Sequence, residues 1–282
     1  MYKNKLALAL SQSFSITYEE QIKLIKAAGF DGFFFDWNKD LDVAAIKKTA
    51  EENGLELQSI HAPYLSSAVM WENTKEASDA VDELFRCLDD CKFCGTTIMV
   101  MHAFIGFNDK VHSVCEDGFS NFQKVIDRAE ELGITIAFEN TEGEEFLDAL
   151  LTHFADRKNV GFCLDTGHEM CYNYSKDLLL KYGDRLVATH INDNLGISRS
   201  DGSIFWTDDL HLLPFDGCAD WEFFAKRLNR HKYNGYLTFE LTRQSKPNRH
   251  ENDKYMKLPI DEYLAEAYSR ACRIATLKER YK

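Results

Sequence analysis

The chain has 282 residues, 45% hydrophobic and 28% charged, enough apolar material for a large core. A formal net charge of −13 disfavours affinity built on broad contact with phosphate backbones, so a nucleic-acid partner is not expected. No stretch approaches the ~18 apolar residues of a membrane span, and Leu6–Leu10 is too short for a signal segment, so a cytoplasmic protein without a membrane partner is expected.

In chain order, β-like and helix-like segments alternate. Strand one is Lys5–Leu10, followed by a helix over Tyr18–Ala28 with Thr17 as N-cap and Gly29 as its stop. The Phe-rich run Gly32–Trp37 is strand two, and Leu41–Asn53 a helix closed by Gly54. Strand three, Leu55–His61, leads through a long connection to the helix Lys75–Phe93. There Cys87, Cys91 and Cys94 share one helix face; eight cysteines are too dilute and irregular for a disulfide scaffold.

Strand four is Thr97–Ala103. The next helix is the clearest, its apolar stripe running from Cys115 to Leu132 and ending at Gly133. Strand five is Ile134–Glu139, with a helix within Glu145–Ala155. Strand six lies in Val160–His168, a mostly apolar run up to Asp165 with an imidazole just beyond. A helix over Ser175–Tyr182, strand seven (Leu186–Asn192), a long loop to Asp220 and a helix over Trp221–His231 follow. Strand eight is Tyr236–Leu241, and after a polar loop the last helix is Asp261–Leu277.

Eight βα units in this length predict one (β/α)8 barrel over residues 1–282, with its active site at the C-terminal rim of the strands. A doubly wound sheet is the competing topology, but no Gly-x-Gly-x-x-Gly follows any strand. Strand-to-helix connections are long after strands three, seven and eight, as expected when one barrel face carries function.

Six consecutive strands end in a carboxylate or an imidazole. The tips carry His61, His102, Glu139, Asp165 with His168 behind it, His190 and Glu240; the loop after strand seven adds Asp209 and His211. Barrel closure brings these tips to one rim, where carboxylates packed without a cation would repel one another. A bound divalent metal removes that conflict. Phe14, Trp37, Tyr64, Phe104, Phe107 and Trp206 fall near the same rim and could exclude water.

His61-Ala62-Pro63-Tyr64, Glu139-Asn140-Thr141, Leu164-Asp165-Thr166-Gly167-His168, His190-Ile191-Asn192-Asp193 and Phe239-Glu240 resemble the xylose isomerase-like barrel superfamily, which includes sugar isomerases and epimerases and endonuclease IV. The resemblance covers nearly the whole chain. In the epimerases that it resembles, it implies one divalent ion, manganese or zinc, on Glu139, Asp165, His190 and Glu240, with His168 touching substrate. The endonuclease pattern implies up to three zinc ions, adding His61, His102, His168, Asp209 and His211. Strand two departs from the family in carrying Asp36 where relatives often have Glu.

The leading expectation is an isomerase or epimerase of a sugar, keto-sugar or sugar phosphate. One of Glu139 and Glu240 removes the proton next to a carbonyl through an enediolate, and the other returns it. His168, His61, His102 and Trp37 are candidate substrate contacts, and Arg199 or Arg243 could bind a substrate phosphate or carboxylate. The alternatives are zinc-dependent phosphodiester hydrolysis at abasic DNA, with the basic residues of loop 242–259 on phosphates, or a non-catalytic sugar-binding barrel. Related barrels are often dimers or tetramers, so a homo-oligomer is compatible with the resemblance.

Overall fold

Alternation along each strand decides what the barrel holds and where. In the computed structural model, which describes residues 4–107 and 110–282, the strands are β1 (Leu6–Ala9), β2 (Gly32–Asp36), β3 (Glu56–His61), β4 (Ile98–His102), β5 (Thr135–Glu139), β6 (Val160–Asp165), β7 (Leu186–His190) and β8 (Leu237–Phe239). They pair in parallel in sequence order, and β1 also pairs with β8. A single bridge, Ile191 to Phe239, joins β7 to β8 and closes a (β/α)8 barrel.

Outward residues such as Leu6, Leu8, Phe33, Phe35, Met99, Met101, Phe138, Phe162 and Phe239 join the core between sheet and helices. Each such side chain is worth roughly 2–3 kcal/mol when fully buried. Val100, Ala137, Cys163 and Ala188 form a separate, smaller cluster inside the barrel. Two residues further along the same inward rows stand His102, Glu139, Asp165 and His190. The small inner layer is therefore the floor on which the polar tips sit.

The helices are α1 (Tyr18–Ala28), α2 (Val43–Asn53), α3 (Lys75–Cys94), α4 (Glu116–Leu132), α5 (Glu144–His153), α6 (Thr166–Cys171), α7 (Leu179–Tyr182), α8 (Trp221–Arg230), α9 (Asp253–Met256) and α10 (Ile260–Arg280). Thr17 and Glu20 cap α1 reciprocally, and Gly29 (φ 115°) ends it in the left-handed region. On α3, Cys87 and Cys91 are buried and every described cysteine is free. No helix among the described residues is long and apolar enough to cross a membrane.

Some assignments change. The helix expected over Ser175–Tyr182 contracts to α7, and α6 starts directly at the end of β6 because the Asp165 carboxylate accepts the His168 N–H (2.6 Å) as an N-cap. Strand eight is shorter than expected. Past Phe239 the Glu240 N–H turns to the Ile191 carbonyl, 3.2 Å away.

Gly118 in the first turn of α4 lies against the Trp71 indole, and a Cβ there would come within 2.1 Å of the ring. Gly118→Ala is expected to cost about 1–3 kcal/mol by overpacking, read as a lower urea midpoint with unchanged slope.

Candidate metal centre

The inward tip positions converge on Glu139, which is fully buried at the end of β5. Its Oε2 lies 3.1 Å from His61 Nε2 and 3.2 Å from His102 Nε2, and its Oε1 lies 3.0 Å from His190 Nδ1. His190 Nδ1 is also 2.9 Å from Glu240 Oε2, so one imidazole nitrogen stands between two carboxylates. Towards β6, His168 Nδ1 is 3.6 Å from Glu139 and its Nε2 is 3.5 Å from Asp209 Oδ1. His211 Nε2 holds the other Asp209 oxygen at 2.8 Å.

Backbone contacts fix the ring orientations. The Nδ1 atoms of His61, His168 and His211 face the carbonyls of Ala62 (2.8 Å), Asn140 (3.0 Å) and Glu240 (3.2 Å). Only an N–H satisfies a carbonyl, so each ring's other nitrogen is the one aimed at the carboxylates. Asp165 is held from both sides: Asn192 donates to its Oδ2 (2.8 Å), and Asn140 exchanges two bonds with its backbone. Beneath the site, Phe34 stacks on the His190 ring with centroids 4.4 Å apart.

Charge in this cluster is balanced by protons in the metal-free chain. Burial disfavours the His190 imidazolium, yet Glu139 and Glu240 together hold its pKa well above the usual range. Burial likewise opposes the charged form of His211, but Asp209 and Glu240 lift it to about 9. Glu139 is held well below the carboxylate range against burial, chiefly by His190. Asp165 is the exception: burial raises it to about 7, despite the opposing pull of His168.

The residues fit a divalent cation. Four donor atoms from Glu139, Asp165, His190 and Glu240 lie within 4.8 Å of one another, as do those of two further sets, His61/Glu139/His190 and His168/Asp209/His211. His61 and His102 present Nε2 to each other at 3.2 Å, and Asp209 Oδ1 is buried without a hydrogen-bond partner. Lone pairs converging in this way are stabilised by a positive ion among them. The structure thus gathers all nine residues singled out by the strand-end pattern.

A cleft of about 590 Å³ opens on this cluster from the β1, β2, β3 and β8 side. Glu240 and His211 form its inner end, while Glu139 stays beneath its imidazoles and does not line it. Trp37 lines the cleft, but its indole N–H is taken by Asp90 (2.6 Å), leaving only the ring face. Tyr64 and Trp206 are exposed at the rim, whereas Phe14 and Phe104 belong to the core.

The expectation that Arg243 binds substrate is corrected. Its guanidinium is buried and donates to the carbonyls of Tyr255, Met256 and Leu258, tying loop 242–259 to the barrel. Arg199 is exposed and stacks on Phe205, 4.4 Å from the ring centroid, away from the residues lining the cleft. The reading that loop 242–259 meets phosphates also weakens, because Lys246, Arg249 and Lys254 pair with Asp209, Asp208 and Asp216.

Residues not singled out from the sequence complete the site. Asn140 and Asn192 orient Asp165, and their positions beside Glu139 and His190 were the available signal. Ser11, Gln12 and Tyr18 reach the cleft only because β1 closes against β8, which no local pattern discloses. Gly167 has its reason here too: a Cβ would come within 1.9 Å of Asn192 Oδ1. Gly167→Ala is therefore expected to displace Asn192 and lower divalent-ion affinity about 10–100-fold. Competition against a fluorescent chelator measures it, and Asn192→Ala should reproduce the loss.

A closed parallel barrel with carboxylate and imidazole donors gathered at its C-terminal rim defines the class. The chain belongs to the xylose isomerase-like TIM barrel family, which matches residues 22–260. It is 26% identical to the uncharacterized protein y4fM of Sinorhizobium fredii, over 90% of this chain and 93% of that protein. It is 22% identical to the inosose dehydratase of Clostridium beijerinckii, over 79% of this chain and 82% of the enzyme. Among solved structures, D-allulose 3-epimerase from Methylomonas sp., in complex with D-allulose, superposes with a TM-score of 0.69 at 17% identity, covering 95% and 96% of the two chains.

Proposed function

We propose that the protein is a divalent-metal-dependent isomerase or epimerase of a sugar or keto-sugar, working by proton transfer next to a carbonyl. The observation that carries this reading is the carboxylate pair Glu139 and Glu240, both on His190 Nδ1 (3.0 and 2.9 Å), with Glu240 at the inner end of a substrate-sized cleft and Glu139 buried behind it. Similarity to a sugar epimerase structure and to an inosose dehydratase supports it.

Glu139, Asp165, His190 and Glu240 would hold the ion. When bound, a manganese or zinc ion supplies the positive charge that stabilises negative charge developing on the substrate's carbonyl and neighbouring hydroxyl oxygens. Glu240 faces the cleft and takes the proton from the carbon next to the carbonyl. Glu139, across the donor set, returns a proton from the buried side. His168, tied through Nδ1 to the Asn140 carbonyl, orients a substrate hydroxyl with Nε2. Trp37 and Tyr64 exclude water from the open side.

The test is exchange of substrate C–H hydrogens with deuterated solvent by manganese-loaded protein, lost in Glu139→Gln and Glu240→Gln. Absence of exchange with every ketose offered, together with nicking of abasic duplex by zinc-loaded protein, would overturn it. The second reading, a three-zinc phosphodiester hydrolase, is favoured by the two extra donor sets. Zinc content per chain separates them: near three for the hydrolase, near one for the isomerase or epimerase.

A further inference from the structure

The outer cleft has one charge sign. Asp36, solvent-exposed at the tip of β2, and Glu83 on α3 stand in its walls, with Glu240 at the inner end. No lysine or arginine is among its lining residues. The other polar groups of the outer walls, among them Gln12, Asn38, Tyr18 and Tyr64, are uncharged amides, phenols and hydroxyls that exchange hydrogen bonds with hydroxyls, and His211 stands with Glu240 at the inner end.

The cations of loop 242–259 nearest the site are committed elsewhere. Arg243 is spent on the carbonyls around α9, and Arg249 bridges Asp208 (3.0 Å) and Glu251 (2.8 Å). Lys246 comes nearest the donor cluster, but it lies 3.4 Å from Asp209 Oδ2 and reaches the cluster from the loop side rather than through the cleft. A phosphate or carboxylate in the outer cleft would therefore meet Asp36 and Glu83 with no lining lysine or arginine to receive it, the imidazole of His211 standing at the inner end between Asp209 and Glu240; that like-charge contact selects against such ligands.

We propose that this cleft takes an uncharged, polyhydroxylated substrate, with Asp36 and Glu83 accepting hydrogen bonds from its hydroxyls, and rejects phosphorylated or carboxylated analogues. The inference deepens the sugar reading and rests on it for the identity of the ligand. Asp36 and Glu83 act as specificity-determining residues; neither belongs to the donor cluster.

Calorimetric titration of manganese-loaded protein with free 2-ketohexoses and with their 6-phosphates tests this without requiring turnover. Free sugar is expected to bind at least about tenfold more tightly than its phosphate ester, as like-charge rejection requires. In the doubly neutralised Asp36→Asn/Glu83→Gln protein, free sugar should weaken and the gap should close. Equal or tighter binding of the esters, binding of neither ligand, or a gap unchanged in the double variant overturns the proposal. Both side chains reach solvent, and matching melting curves for variant and parent confirm that folding is not what changes. Free-sugar preference without deuterium exchange in any ketohexose supports the charge selection and overturns the proposed reaction instead.

Discussion

Glu240→Gln is expected to lower kcat by about 10²–10⁴-fold at saturating manganese, the range for loss of a positioned acid–base group. Glu240 lies just past β8, lines the cleft and stays ionised, because His211 and His190 hold its pKa near 2 against the upward push of burial. Glutamine keeps the shape and removes only the charge. Glu139→Gln should differ in degree, since Glu139 is the buried hub of His61, His102 and His190: its metal content should fall further than that of Glu240→Gln, which also gives up one donor. Steady-state kinetics with metal analysis of each variant separates the two roles. A Glu240→Gln protein with parental kcat would remove Glu240 from the chemistry.

Stripping the ion should lower the melting temperature by about 5–10 °C. At an ion concentration a hundredfold above its dissociation constant, linkage gives about 2.7 kcal/mol, and a chain of this size moves roughly 2–4 °C per kcal/mol. The sign with pH follows from the protons that balance the metal-free site. His190 carries a proton near neutrality, and Asp165, raised to about 7, is partly protonated there. Each must lose its proton to act as a donor, so binding releases protons and affinity rises with pH between about 6 and 9. Calorimetry in buffers of different ionisation enthalpy counts them. Affinity independent of pH across that window would show that other groups hold the ion.

The barrel and its polar rim were legible because parallel strands write their inward and outward rows at a spacing of two. Phe138-Glu139 and Phe239-Glu240 put an aromatic towards the helices and a carboxylate towards the axis in adjacent positions. What lay beyond reach was whatever depends on distant parts of the chain meeting. Arg243, in a polar loop, reads like a ligand for anions, yet three carbonyls from the residues just downstream absorb its guanidinium. The equal standing of Glu139 and Glu240 in the sequence dissolves once depth is known, one lying under imidazoles and the other in the cleft wall. The start of α6 was similarly hidden, because the cap that sets it is the Asp165 carboxylate, read from the sequence as a donor alone.

The seam between β7 and β8 bears on how the molecule breathes. Every other strand pair has an extended ladder or at least two registered positions, but this junction has one backbone bridge, at Ile191 and Phe239, with the Thr189 hydroxyl tied to Tyr236 and Thr238 beside it. His190 lies immediately before the seam on one side and Glu240 immediately after it on the other. An ion gripped by both would act as a rivet across the least-stitched line of the barrel. Catalytic readiness and closure of the cylinder would then rise and fall together, and the amides of Ile191 and Glu240 would exchange fastest in the protein that has lost its ion.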